Sequence, residues 1–147
     1  MAVQSQEEAR DALAGLVTAA WAAAAAAVGM PSAPLLYDDV DGDPPGAPAL
    51  WGRLSLQFDT GARVTLGNDS GAAMYRNGGQ LFVQVFTPHG EGPRTSDRVV
   101  EALKRALQHP GHVDGVRIRN VSPQPGESDG AWFQVNVFAE FQFDRIQ

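Results

Sequence analysis

Residues 78–92, GGQLFVQVFTPHGEG, decide the fold of this chain. They follow Arg76-Asn77, and Arg76-Asn77-Gly78-Gly79 predicts a tight hairpin turn, because Asn-Gly and Gly-Gly supply the positive φ angles such turns need. Beyond the turn, period-two alternation predicts a strand. Leu81, Val83 and Val85 share one face; Phe82, Gln84 and Phe86 share the other. The first face is aliphatic and belongs to a core. The second mixes aromatics with glutamine and reads as partly covered. Pro88 has no N–H to give and ends the ladder. Gly90 and Gly92 free the exit loop, and helical spacing resumes after them.

On the N-terminal side, residues 73–76 are the expected first arm of that hairpin. Residues 60–72 read as an extended excursion carrying Val64 and Leu66. Residues 51–58 alternate again, with Leu54, Leu56 and Phe58 opposite Arg53, Ser55 and Gln57, and predict a strand. Leu35-Leu36-Tyr37 fits a short strand. Residues 38–49, rich in Asp, Pro and Gly, have nothing to pack and predict an exposed loop. Ser5-Gln6-Glu7-Glu8 is a capping box opening a helix over 6–28. Its stripe is Ala9, Leu13, Leu16, Val17, Ala20, Ala24, Ala27 and Val28. Gly29 and Pro31 close it. The small residues of 22–27 let another backbone approach, and predict a helix lying flat on a sheet rather than a helix contact between subunits.

On the C-terminal side, Thr95 or Ser96 is the expected cap of a second helix over 96–108. Its stripe is Val99, Val100, Leu103, Ala106 and Leu107, and Pro110-Gly111 ends it. Residues 116–121 predict a strand with Val116 and Ile118 opposite Arg117 and Arg119, and 123–130 a loop. The last strand, 132–143, sets Phe133, Val135, Val137, Ala139, Phe141 and Phe143 against Trp132, Gln134, Asn136, Phe138, Glu140 and Gln142. Residues 80–87 and 132–143 are thus the longest expected strands. The order of elements predicts a single α+β domain over 1–147, with a mixed, mostly antiparallel sheet and two helices packed on one face.

A chain of 147 residues suits one domain. Its net charge of −6 makes the overall field a poor one for nucleic acid. Cysteine is absent, which excludes disulfides and thiolate chemistry. Residues 1–10 carry Glu7 and Glu8 and lack a basic leader region, and the alanine run of 19–28 is too short to span a bilayer. The expectation is a protein made in the cytoplasm with no membrane partner.

The chain offers little that a reaction needs. Asp39-Val40-Asp41-Gly42-Asp43 puts glycine at the fourth position of a calcium-like loop, where the sixth is required, and Leu50 stands at the twelfth in place of Glu. His109, His112 and Asp114 flank a helix end without a firm third ligand. Gly90-Glu91-Gly92 lacks the third glycine of a dinucleotide fingerprint, and neither a phosphate-loop lysine nor a Gly-x-Ser-x-Gly elbow occurs. His89 has no nucleophile to serve. No cofactor, metal or catalytic residue is therefore expected, and the chain is not expected to be an enzyme. Trp51, Phe82, Phe86, Trp132 and Phe138 cannot all hide in one core, and together with the long loops they point to surface committed to protein contacts.

Pieces spread through nearly the whole chain resemble the tail terminator proteins of long-tailed bacteriophages, related prophages and gene transfer particles. They are an Ala/Trp-rich first helix with Trp21, Pro34-Leu35-Leu36-Tyr37-Asp38-Asp39, and Trp51-Gly52-Arg53. Residues 76–92 resemble the block Arg-x-x-Gly-x-Leu-x-Val-Gln-Val-Phe-x-Pro-x-Gly-x-Gly. Residues 131–137, AWFQVNV, resemble a closing Trp-Tyr-Gln strand. Asp39 and Phe133 depart from the Asn and Tyr usual there, and neither change touches catalysis, since the family is not catalytic. The resemblance implies a structural virion protein at the tail–neck junction. It implies a homo-hexameric ring on the head-proximal end of the tail tube, partnered by the tail tube protein and by the head–tail connector or stopper. DNA would pass through its lumen without specific binding. The contact residues expected are Trp51, Arg53, Arg76, Phe82, Phe86, His89, Trp132 and Phe138, with the loops 38–49, 61–71 and 88–94. Another neck or head-completion (stopper) protein is the nearer alternative. A small ligand-binding module or enzyme with a Trp51/Tyr75/Trp132 pocket is the more distant one.

Overall fold

The computed structural model describes residues 5–37, 49–59, 62–63, 74–90, 93–127 and 131–146. Helix α1 spans Gln6–Ala27. The Ser5 hydroxyl accepts the Glu8 N–H at 3.1 Å, as the capping motif predicts. At the other end Gly29 takes φ +77. Its N–H bonds the Ala26 carbonyl at 3.0 Å, while the Met30 N–H bonds Ala25 at 2.8 Å. This pair of crossed bonds satisfies carbonyls that the last turn leaves without partners. The buried stripe is Ala9, Leu13, Val17, Ala20, Trp21, Ala24 and Ala25. Trp21 enters it because Gly52 makes room: a Cβ at Gly52 would lie 2.6 Å from the indole Cη2. The indole N–H is satisfied by the Ala33 carbonyl at 2.9 Å.

The strands are β1 Leu35–Tyr37, β2 Trp51–Phe58, β3 Ala62–Arg63, β4 Met74–Pro88, β5 His112–Val113, β6 Val116–Pro125 and β7 Trp132–Ile146, with α2, Arg94–Gln108, between β4 and β5. They form one sheet in the order β1-β2-β4-β7-β6-β5, with β3 also on β4. β1 runs parallel to β2; the remaining pairs are antiparallel. Both helices pack on one face, over a core that includes Leu13, Val17, Leu54, Leu81, Val83, Val85, Leu103, Leu107, Val137 and Phe141. The α+β architecture expected from the sequence is the one observed.

The sequence reading is corrected at three places. First, Asn77-Gly78-Gly79 is not a turn. β4 runs straight through it and pairs with β7 from Met74↔Ile146 to Pro88↔Trp132, so residues 73–76 are not a separate hairpin arm. The glycines are there for close approach. A Cβ on Gly78 would lie 2.7 Å from the Phe141 carbonyl oxygen, and one on Gly79 only 1.9 Å from that of Gln57. The two-residue hairpin is instead Asp114-Gly115, between Val113 and Val116, with φ +48 and +86.

Second, neither Thr95 nor Ser96 caps α2. The helix begins at Arg94 behind Pro93 without a side-chain cap. Ser96 is buried in the first turn, and its hydroxyl donates to the Pro93 carbonyl at 3.0 Å. Third, β6 continues through Pro125, into the expected loop. A bulge between Arg119 and Ser122, with Asn120 at φ +56, re-phases the strand against β7. Beyond the short β5, this edge strand tolerates Pro123 and Pro125.

Candidate functional site: the open face of the sheet

Register fixes which side chains share the face away from the helices. Trp51, Arg53 and Ser55 of β2 lie opposite Phe86, Gln84 and Phe82 of β4. Phe82 in turn lies opposite Phe138 of β7. Arg76 faces Asp144, and Arg117 and Arg119 of β6 face Gln142 and Glu140. The sequence-predicted contact residues therefore come together on one face, except His89. That residue sits exposed in the turn after β4. With Pro88, Gly90, Pro93 and Phe133 it lines a separate, mostly apolar cavity of about 330 Å³.

The open face has two ends of different chemistry. At one, Trp51 stacks on Phe86 with ring centroids 4.0 Å apart, and Trp132 meets Trp51 edge-on at 5.9 Å. Phe82 and Phe138 pair in the middle at 5.2 Å. The aromatics cover one another, and Trp51 is only 5% exposed. Phe86 and Trp132 shield Trp51, and its indole N–H is buried with no partner among the described residues. Phe82, Phe86, Trp132 and Phe138 remain half-buried, and no described element lies over them.

At the other end Arg76 grips Asp144 with two bonds, Nε to Oδ1 at 2.9 Å and Nη2 to Oδ2 at 3.3 Å. Arg117 Nη2 reaches the same Oδ2 at 3.3 Å. The hydrogen bond from Arg76 holds the Asp144 carboxyl below the usual carboxylate range; partial burial opposes it and Arg117 adds to it. Arg119 donates to the neutral side chain of Gln142. Asn120, turned by the bulge, donates to Glu140 at 2.7 Å. Gly78 and Gly79, without side chains, floor a polar cavity of about 370 Å³ walled by Asp59, Arg76, Arg119, Glu140 and Gln142.

Sequence reasoning saw Arg117 and Arg119 as the polar parity of a strand but did not bring them to Arg76, since that placement depends on the β6–β7 register. Asp144 was missed for the same reason, and Glu140, seen only as a polar position of the last strand, was not brought to Asn120. His109 and His112 are exposed, and the described residues hold no group of three or more His, Cys, Asp or Glu able to bind a metal. No described helix is long and apolar enough to cross a membrane. The calcium-like stretch 39–43 and most of the loops 38–49 and 61–71 lie outside the described residues, as do residues 91–92 of the exit loop.

No family model matches this chain, and no curated protein matches it. A solved structure that carries no functional description is similar to it, with a TM-score of 0.63 at 20% identity over 99% of this chain and 97% of that one. At that identity the likeness shows a shared fold, running from end to end of both chains, and nothing of what either does.

Proposed function

We propose that this chain is a tail terminator protein of a long-tailed phage or related particle. In this reading it forms a hexameric ring on the head-proximal end of the tail tube, halts tube growth, and offers the surface on which the head's connector docks. DNA passes through the ring. The observation that carries the reading is the open sheet face. Phe82, Phe86, Trp132 and Phe138 stand half-buried where no described element of the chain covers them. Leaving such area against water is unfavourable by roughly 25 cal/mol per Å² of apolar surface, so a neighbouring protein is its natural cover. The blocks that resemble the family lie largely along the two central strands bearing these residues. The site is a binding surface and carries no chemistry of its own.

The reading is tested by growing tail tubes from purified tube protein with and without this chain. With it, tubes stop at a set length and carry a ring at one end. Tubes that grow unchecked, with no ring at either end, overturn the reading. Binding to the head connector but not to the tube end assigns the chain to the stopper position instead.

A further inference from the structure

We infer that copies of this chain meet head to tail, with the outer side of α1 of one copy seated on the open aromatic face of the next, and Arg53 of that face held by Glu7 and Asp11 of the incoming helix. The inference rests on the ring reading above and names the contact that would build it.

Two described surfaces of the molecule lack a cover, and they lie on opposite sides of it. One is the sheet face that carries Phe82, Phe86, Trp132 and Phe138. The other is the outer side of α1. No charged residue occurs from Ala12 to Tyr37, and where the helix meets water it presents small side chains, among them Gly15, Ala19, Ala22, Ala23 and Ala26. A helix that is apolar all round is ordinarily covered all round. The inner side of α1 has its cover, in the sheet and α2. The outer side has none among the described residues. A low, smooth stripe suits projecting rings, because small side chains let the two surfaces close without voids. Both helices lie across the sheet from the rings, so the two surfaces of one copy never meet. Two copies bring them together.

Charge matches this cover to this face. Arg53 is the only charged side chain that the described strands place on the aromatic half of the face, and it makes no ion pair among the described residues. Glu7 and Asp11 are exposed one turn apart on α1, where the uncharged stripe begins, and they too make no ion pair among the described residues. Like charges at that spacing repel until a cation meets them. Arg10 is not that cation, because its guanidinium lies over the Phe58 ring, 5.0 Å from the centroid. The spacings agree as well. Arg53 is level with Gln84 and Asn136, so Phe138 lies two strands across and two residues along, about 12 Å away. From Asp11 to Ala19 is eight residues of helix, also about 12 Å. Asp11 over Arg53 therefore sets Ala19 over Phe138. Two different patches facing each other make a heterologous contact, the kind that closes a ring, and the charge pairing sets its register.

The test is sedimentation velocity of the purified full chain at low ionic strength, on a face variant (Arg53→Glu) and a helix variant (Glu7→Arg with Asp11→Arg). The expected result is a ring-mass species for the parent chain and monomer for each variant alone. An equimolar mixture of the two should recover the ring, because every junction between unlike copies is again complementary. Arg53→Gln should also lose the ring, and it covers the case in which the reversed chain misfolds. Ala22→Glu with Ala26→Glu tests the apolar part of the contact. Both positions are exposed, so this variant should melt with the parent yet stay monomeric. Variants that still form rings alone overturn the inference, and so does a mixture that recovers nothing or stops at dimer mass. Rings that survive Ala22→Glu with Ala26→Glu overturn it too. A parent chain that stays monomeric overturns this contact while leaving the terminator reading to the tube-growth assay. Rings that form in solution but fail to halt tubes do the reverse.

Discussion

Gly15 and Gly79 lack the same atom for opposite reasons. In the interior of α1 nothing lies within 4 Å of the Cβ that Gly15 lacks. Gly15→Ala should therefore stabilise the fold by about 0.5–1 kcal/mol, from helix propensity alone. At Gly79 the same change drives a methyl to 1.9 Å from the Gln57 carbonyl oxygen and 2.8 Å from the Phe141 ring. It should cost about 1–3 kcal/mol or more as the ladder spreads. Urea unfolding of the two variants reads both signs, and a stabilised Gly79→Ala would refute the close-approach account. The same contrast shows what the sequence could not tell. Asn77-Gly78 and Asp114-Gly115 look alike as dipeptides. Only the second is a turn, because Val113 and Val116 pair directly across it, whereas the first lies inside a ladder set by β7. A second residue-scale outcome concerns Asp144. Its folded pKa is depressed, so its contribution to stability is present above the unfolded value near about 3.9 and is lost as pH falls through the lower folded value. Asp144→Asn should be modestly less stable than the parent at neutral pH, and the gap should close in acid below that range. A gap that persists there would mean the carboxylate's charge is not what matters.

At the scale of the element, β4 shows how far alternation carries. Leu81, Val83 and Val85 are fully buried, and Phe82, Gln84 and Phe86 half-buried on the other side, as their parity predicts. Leu81→Ala should cost about 2–5 kcal/mol, as buried leucines do. Phe82→Asp should cost the isolated fold clearly less and, on the tail-terminator reading proposed above, should still let tubes grow past their set length. Thermal melting separates the two. If Phe82→Asp unfolds as readily as Leu81→Ala, the open face is ordinary core. Faces were legible because each strand carries its own period. Ends were not. α2 starts two residues before the expected Ser96, since burial of that serine took its hydroxyl from capping duty. β6 outlasts its predicted end because a bulge at Asn120 repairs its phase against β7, a correction that only the neighbouring strand could impose.

At the scale of the whole molecule, the layer arrangement could be read from the order of helical and strand periods, while the meeting of Arg76, Arg117 and Asp144 could not. Those three residues belong to three strands scattered over the chain, and only the register of β4, β6 and β7 joins them. The same register shapes how the protein comes into being. β4 leaves the ribosome before α2, β5 and β6, yet its longest partner, β7, is made after all of them. Throughout that interval, among the described strands, one side of β4 has only β2 and β3 to pair with and the other side has none. The central ladder then closes in one late step over a large loop, and long-range closure of this kind is slow. The half-made chain is thus a sticky strand awaiting its mate. Its exposure to misassembly is set by the rate of translation as much as by the stability of the finished fold.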